Sequence, residues 1–277
     1  MKGAWPVVLL LAASPAGAAP PDHTLTDTFG GSVNNLGLQQ TLDASWRWPL
    51  GRSSHPLRSD AHFALGLTNH LSPAYVRLGG WASWAPLSVL ELRAGVEPVY
   101  YFGIVGSLIG FPSQHAVFDE DARRALRPHA VSGKGVRFYF APTLRGRVGR
   151  LVASATLDLE RWDVDGPGAF FYEPMRDTLL ASNGDSLWRT STVVLREWLA
   201  GDGRKLLAGL HHEFMRVRGV PANDMHRLGP LAAWTLGHRR FGVDEPTLLV
   251  NVYYYLEDPY KRHEPGAAVA VRFGLGR

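Results

Sequence analysis

The densest group of titratable side chains in the sequence is His211-His212-Glu213. In a strand, consecutive residues point to opposite faces, so His211 and Glu213 share one face while His212 takes the other. Zinc would need a third ligand there, and two ligands at i, i+2 lack the HExxH spacing that makes such pairs a metal signature. No metal and no cofactor is expected. The acids offer two further pairs. Glu91 and Glu97 are six residues apart, about 20 Å along a strand, which is too far for paired acid–base work on one bond. Asp158 and Glu160 are closer but flank no evident pocket. No Gly-x-Ser-x-Gly elbow, P-loop or dinucleotide fingerprint occurs, so no catalytic residue is assigned.

The 277 residues include no cysteine, which excludes disulfides, thiolate chemistry and a lipid-modified N-terminal cysteine. Gly 30, Trp 9, Tyr 9 and Phe 12 describe a chain of turns and rings, not a helix bundle. Lys+Arg 29 against Asp+Glu 25 gives a small positive excess that is scattered singly, and no nucleic-acid partner is expected. Met1-Lys2, the apolar run 7–13 and the small residues Ala16-Gly17-Ala18-Ala19 read as a signal peptide over residues 1–19, leaving 20–277 as one domain. No later stretch supplies the ~20 apolar residues of a membrane helix, so a membrane crossing would be made by strands.

What must position these side chains is a set of long two-colour segments. From 35 to 48, Leu36, Leu38, Leu42, Ala44, Trp46 and Trp48 alternate with Gly37, Gln39, Thr41, Asp43, Ser45 and Arg47. Fourteen residues exceed the usual ~5–6 of a globular strand and suit the ~9–11 that cross a bilayer at a tilt. The same period predicts strands over 23–29, 60–69, 74–84, 88–102, 135–148, 151–162, 187–199, 205–217, 226–241, 247–257 and 266–275. From residue 86 onward, short links alternate with the longer segments 103–134, 163–186, 218–225 and 258–265; the link 49–59 is long for a turn. The expectation is therefore an all-β fold, an antiparallel transmembrane β-barrel of about twelve strands with short periplasmic turns and long extracellular loops. A secreted soluble β-sandwich would also alternate, but strand length and rings gathered at strand ends favour the barrel.

The polar parity places Asp43, Arg47, His62, Arg77, Glu91, Arg93 and Glu97 in the lumen, together with Arg137, Arg145, Asp158, Glu160, His211 and Glu213. These charges either line a water-filled path or pair across the lumen and seal it. In the loops, Asp119 heads a short helix to Arg127. Phe170-Phe171-Tyr172 pack the loop, constrict the mouth, or touch lipopolysaccharide.

The C-terminal segment Glu264-Pro265-Gly266-Ala267-Ala268-Val269-Ala270-Val271, continued by Phe273 and Leu275, resembles the last-strand signal of bacterial outer-membrane β-barrel proteins. That resemblance implies an outer-membrane location, surrounding lipid and lipopolysaccharide, and recognition by the barrel assembly machinery. A lipid-facing His212 is similar to the outward histidine of outer-membrane phospholipases, but their His-x-Ser pattern is absent, because Glu213 and Phe214 follow. The function expected is a narrow porin or channel for small polar solutes, or a structural surface barrel. An outer-membrane enzyme acting on lipid or lipopolysaccharide is the alternative.

Overall fold

The computed structural model describes residues 21–34, 37–51, 54–240 and 242–275. The expected signal peptide lies outside them, as do Asn35, Leu36 and Phe241 from two predicted strands. Twelve long strands run in order: β1 (Asp22–Val33), β2 (Gly37–Pro49), β3 (His62–Leu71), β4 (Tyr75–Leu87), β5 (Leu90–Phe102), β6 (Ser132–Val148), β7 (Leu151–Val164), β8 (Asp185–Leu199), β9 (Arg204–Val217), β10 (Met225–Leu236), β11 (Val243–Glu257) and β12 (Pro265–Gly274). Each pairs antiparallel with its sequence neighbours, and β12 closes the wall on β1 from Thr26↔Gly274 to Val33↔Ala267. Closure leaves no open edge, so the backbone groups of the wall are satisfied without water. No helix among the described residues is long and apolar enough to cross a membrane.

Side chains sort by parity as the period requires. Leu38, Leu67, Leu210, Leu228 and Val269 are exposed on the outer wall. Trp46, Trp84, Trp198 and Trp234 stand outward near one rim, and Tyr100, Trp188 and Tyr254 outward toward the other. These are two aromatic girdles flanking an apolar belt, a surface that only lipid covers without cost. Leu92 and Val250, on the same outward face, are half-buried by their neighbours.

Inside, two glycines make room for rings that lie flat against the wall. A Cβ on Gly66 would run into the Trp81 ring, and one on Gly95 would sit 2.6 Å from the Tyr139 ring. Trp81 then donates to Asp43 Oδ2 and Thr68 Oγ1, both at 3.1 Å.

The two ends differ. At the turn end the links are 88–89, 149–150, 200–203 and 237–242, with 50–61 longer. One of the two shortest joins is the two-residue hairpin between Val148 and Leu151, where Gly149 takes φ 58°, a conformation that glycine adopts freely. The loop end carries 103–131, 165–184, 218–224 and 258–264. The alternation of short and long links fails early in the chain, because 34–36 and 72–74 at the loop end are also short. Those hairpins form one side of the mouth, and the four longer loops fold across it.

The largest apolar cluster sits in that mouth, not along the barrel axis. Segment Phe170–Glu173 pairs with Thr178–Ala181 as a hairpin, and Gly110–Phe111 from the preceding long loop adds a third strand through Gly110↔Phe171. Phe171, Leu179 and Leu180 are fully buried together with Leu108 and Ile109. At about 1.5–3 kcal/mol for each fully buried side chain of this size, the five hold the cap as a packed element and not as a waving loop. The helix α1 (Glu120–Leu126) forms as expected, with Asp119 Oδ1 accepting from Ala122 N at 2.8 Å.

Candidate functional site

The tip of the cap hairpin, residues 174–177, reaches down into the lumen. Arg176 is paired with Glu160 of β7, whose side chain is 0 % exposed. Arg137 binds the same carboxylate at 2.7 Å and, with its other nitrogen, Glu97 at 2.7 Å. Arg77 completes the chain on Glu97 at 2.9 Å, and Trp162 Nε1 donates to Glu160 at 2.8 Å. A second group lies alongside: Arg189 binds Asp158 at 2.6 Å and Glu213 at 3.5 Å, and Arg227 binds Glu213 at 3.0 Å. Each carboxylate of these two groups thus meets two guanidiniums, except Asp158. Such compensation keeps charge in a low-dielectric place.

Toward the turn end the lumen becomes wet. Asp60, from link 50–61, pairs with Arg47 and with Arg145 at 3.4 Å, and Arg145 reaches Glu91 at 3.5 Å; these side chains are between 22 % and 48 % exposed. His62 Nδ1 lies 2.8 Å from Asp60 O. Arg93 stacks 3.6 Å over Trp81, a cation–π contact on the lumen wall. Between this mouth and the hairpin lies a polar cavity of about 560 Å³, bounded by Glu91 and Arg93 below and by Met175 and Arg176 above. Of the thirteen side chains expected in the lumen, Arg77, Glu97, Arg137, Asp158, Glu160 and Glu213 are ion-paired near the hairpin and Arg47, Glu91 and Arg145 toward the turn end, whereas Asp43, His62, Arg93 and His211 make hydrogen-bond or ring contacts.

Asp177 ties the cap together. It accepts from Tyr172 Oη at 2.5 Å, lies 3.3 Å from Arg123 of the 103–131 loop, and pairs with Lys261 of the 258–264 loop. Phe118 and Tyr260 pack edge-on at 4.8 Å between the same two loops. The rings of 170–172 thus pack into the apolar cluster of the mouth, since Phe171 and Tyr172 are buried and Phe170 packs partly against it. Sequence reasoning left their place open because nothing local distinguishes a loop that packs on itself from one that packs into a tube.

Glu173 is buried, and no cation among the described residues binds it. Burial pushes its carboxyl pKa up, opposed by the hydrogen bond from Tyr101 and by Met175 N donating at 3.0 Å. A carboxyl with a raised folded pKa favours the seated hairpin while neutral, and that contribution is lost as pH rises through the raised value. Raising pH through that range should loosen the cap, by up to about tenfold in the seating equilibrium for each pH unit crossed. Glu173→Gln should flatten the dependence. Proteolysis at Arg176 followed against pH reads this directly, and an unchanged profile in Glu173→Gln would assign the dependence to another group.

Sequence reasoning weighed His212 and missed the partners of His211. His212 does face outward, with Nε2 2.5 Å from Nε2 of His226 on the outer wall. His211 faces the lumen, where Ser191 Oγ lies 3.0 Å from its Nε2 and Asn251 Nδ2 lies 3.0 Å from its Nδ1. The three come from β8, β9 and β11, so no short motif could announce them.

No family model and no curated protein matches the sequence. Solved structures to which the chain is similar include the β domain of the Bordetella autotransporter BrkA, with 12 % identity over 92 % of this chain and 98 % of that one at a TM-score of 0.45. The translocator domain of the autotransporter NalP from Neisseria meningitidis shows 12 % identity over 95 % and 90 % at 0.41. The KdgM porin shows 7 % over 91 % and 99 % at 0.40. The closed wall, the girdled apolar exterior and the charged interior make this chain a transmembrane β-barrel of the bacterial outer-membrane class.

Proposed function

We propose that the chain is a normally closed outer-membrane channel for small polar solutes, gated by the hairpin Phe170–Ala181. The observation that carries this reading is Arg176 of the hairpin tip seated on Glu160 at one end of a polar cavity whose other end is lined by Glu91, the partner of Arg145 near the turn-end mouth. A barrel built only for surface structure has no need of a polar half-lumen ending at a separable segment. The gate is held by the apolar packing of Phe171, Leu179 and Leu180, by Asp177 on Arg123 and Lys261 of the neighbouring loops, and by Arg176 on Glu160. Lipid and lipopolysaccharide surround the girdled wall, and the strand β12 serves the assembly machinery as its docking signal.

In planar bilayers the wild-type protein should be quiet at low voltage, with rare openings. Asp177→Ala removes the acceptor shared by Tyr172, Arg123 and Lys261. Losing one member of a buried pair costs more than the 1.4 kcal/mol that equals a factor of ten, so openings should become at least about tenfold more frequent. A steadily open wild-type trace would sink the gate.

A further inference from the structure

From the lumen contacts of His211 we infer a second activity: Ser191, His211 and Asn251 form a nucleophilic site that hydrolyses acyl esters. Ser191 Oγ and His211 Nε2 are 3.0 Å apart, and Asn251 lies on the other ring nitrogen at 3.0 Å, which is the nucleophile–base–orienter order that activates a hydroxyl. Gly229, opposite His211 on the intervening strand β10, has no side chain to separate His211 from Asn251.

The amide of Asn251 can face the ring with either of its atoms. Asn251 Oδ1 is buried with no hydrogen-bond partner while Nδ2 points at His211 Nδ1. Turning the amide over, an almost isosteric change, lets Oδ1 accept from Nδ1–H. The ring is then fixed in the tautomer whose Nε2 lone pair faces Ser191, with Nδ2 in the place that Oδ1 leaves.

The surroundings select the substrate class, because Ser191 sits where the lumen changes character. On its cap side are Arg189, Glu213 and Arg227, and Arg227 Nε is buried without a partner. On its turn side, Val193, Leu195, Leu207, Leu231 and Leu249 share the inward parity and are half-buried or buried. An amphiphile with a polar head and an acyl tail places its ester at that boundary. The polar cavity lies beside this position, lined by Arg189 and by Thr156, the strand partner of Ser191.

In the reaction, Ser191 Oγ bonds to the ester carbonyl carbon while its proton passes to His211 Nε2. The carbonyl oxygen becomes an oxyanion, with the positive charge of Arg189 and Arg227 nearby. Collapse breaks the ester C–O bond, and the leaving alcohol takes the proton from His211. Water then gives its proton to His211 and attacks the acyl-serine. That step releases the carboxylic acid and returns the proton to Ser191.

The test uses the full-length protein in detergent micelles with p-nitrophenyl esters from acetate to laurate, together with a fluorophosphonate probe. The wild type should hydrolyse medium-chain esters faster than acetate. Ser191→Ala should lose about 10³-fold or more, and Asn251→Leu a large part of kcat at little change in KM. Asn251→Asp, which keeps an acceptor on Nδ1–H, should restore activity, and mass spectrometry should find the phosphonyl adduct on Ser191. Heat-modifiable gel migration reports that each variant keeps its barrel. Equal rates for wild type and a folded Ser191→Ala, or absence of the adduct at Ser191, would overturn the site and leave a structural cluster.

Discussion

Replacing residues 166–184 by a short glycine–serine link should turn a closed barrel into a continuously conducting one. The wall survives such a cut, because β7 and β8 are already side by side at Asp185↔Trp162 and need only a brief connection. The cap does not survive, since Phe171, Leu179 and Leu180 leave the apolar cluster and Arg176 leaves Glu160. Leu108 and Ile109, fully buried beneath them, then face water at a cost of about 1.5–3 kcal/mol each, so the 103–131 loop cannot reseal the mouth in its present form. Single-channel recording should pass from rare openings to a steady open level. A closed trace from a correctly folded deletion variant would mean that the wall's own ion pairs seal the lumen, and the barrel would then be structural.

The second large effect concerns Arg137. It bridges Glu97 and Glu160 at 2.7 Å each, with a side chain 7 % exposed. Arg137→Ala leaves two buried carboxylates short of a partner, a change that typically costs about 3–5 kcal/mol. Each keeps one guanidinium, Arg77 on Glu97 and Arg176 on Glu160, so the lower end, about 3 kcal/mol, is expected. Urea unfolding in lipid vesicles, followed by tryptophan fluorescence, measures it. The combination Arg77→Met, Glu97→Gln, Arg137→Met, Glu160→Gln, Arg176→Met should recover most of the loss, because it removes Arg77 and Arg176 along with their carboxylates and so leaves no unpaired charge to desolvate. A loss below about 1 kcal/mol for Arg137→Ala alone would show that water reaches this part of the lumen and screens it.

The wall was legible in the sequence because it is a local property. Every second residue of a strand meets lipid and its neighbour meets the lumen, so Leu38, Leu92 and Val250 take one parity and Asp43 and Arg93 the other without reference to any distant contact. The predicted strand 23–29 is part of the longer β1 (Asp22–Val33), since it must pair with both β2 and β12 to close the wall. The inward charges were legible for the same reason, but their pairing was not. Whether Arg137 faces open water or two carboxylates depends on the stagger of β5, β6 and β7, which no single segment encodes.

The plug and the Ser191–His211–Asn251 cluster lay further out of reach. Arg176 and Glu160 belong to a loop and a wall that meet only after the hairpin folds inward, and Ser191 stands in an ordinary Thr190-Ser191-Thr192 run. The sequence by itself therefore determined a twelve-strand wall, its two faces and its helix cap at Asp119, all set by period and local hydrogen bonding. Only the tertiary structure decided that the long loops pack into the mouth, which guanidinium serves which carboxylate, and which serine and amide flank His211. Those outcomes follow from strand stagger and loop packing between residues tens to hundreds of positions apart, where sequence pattern has no physical reach.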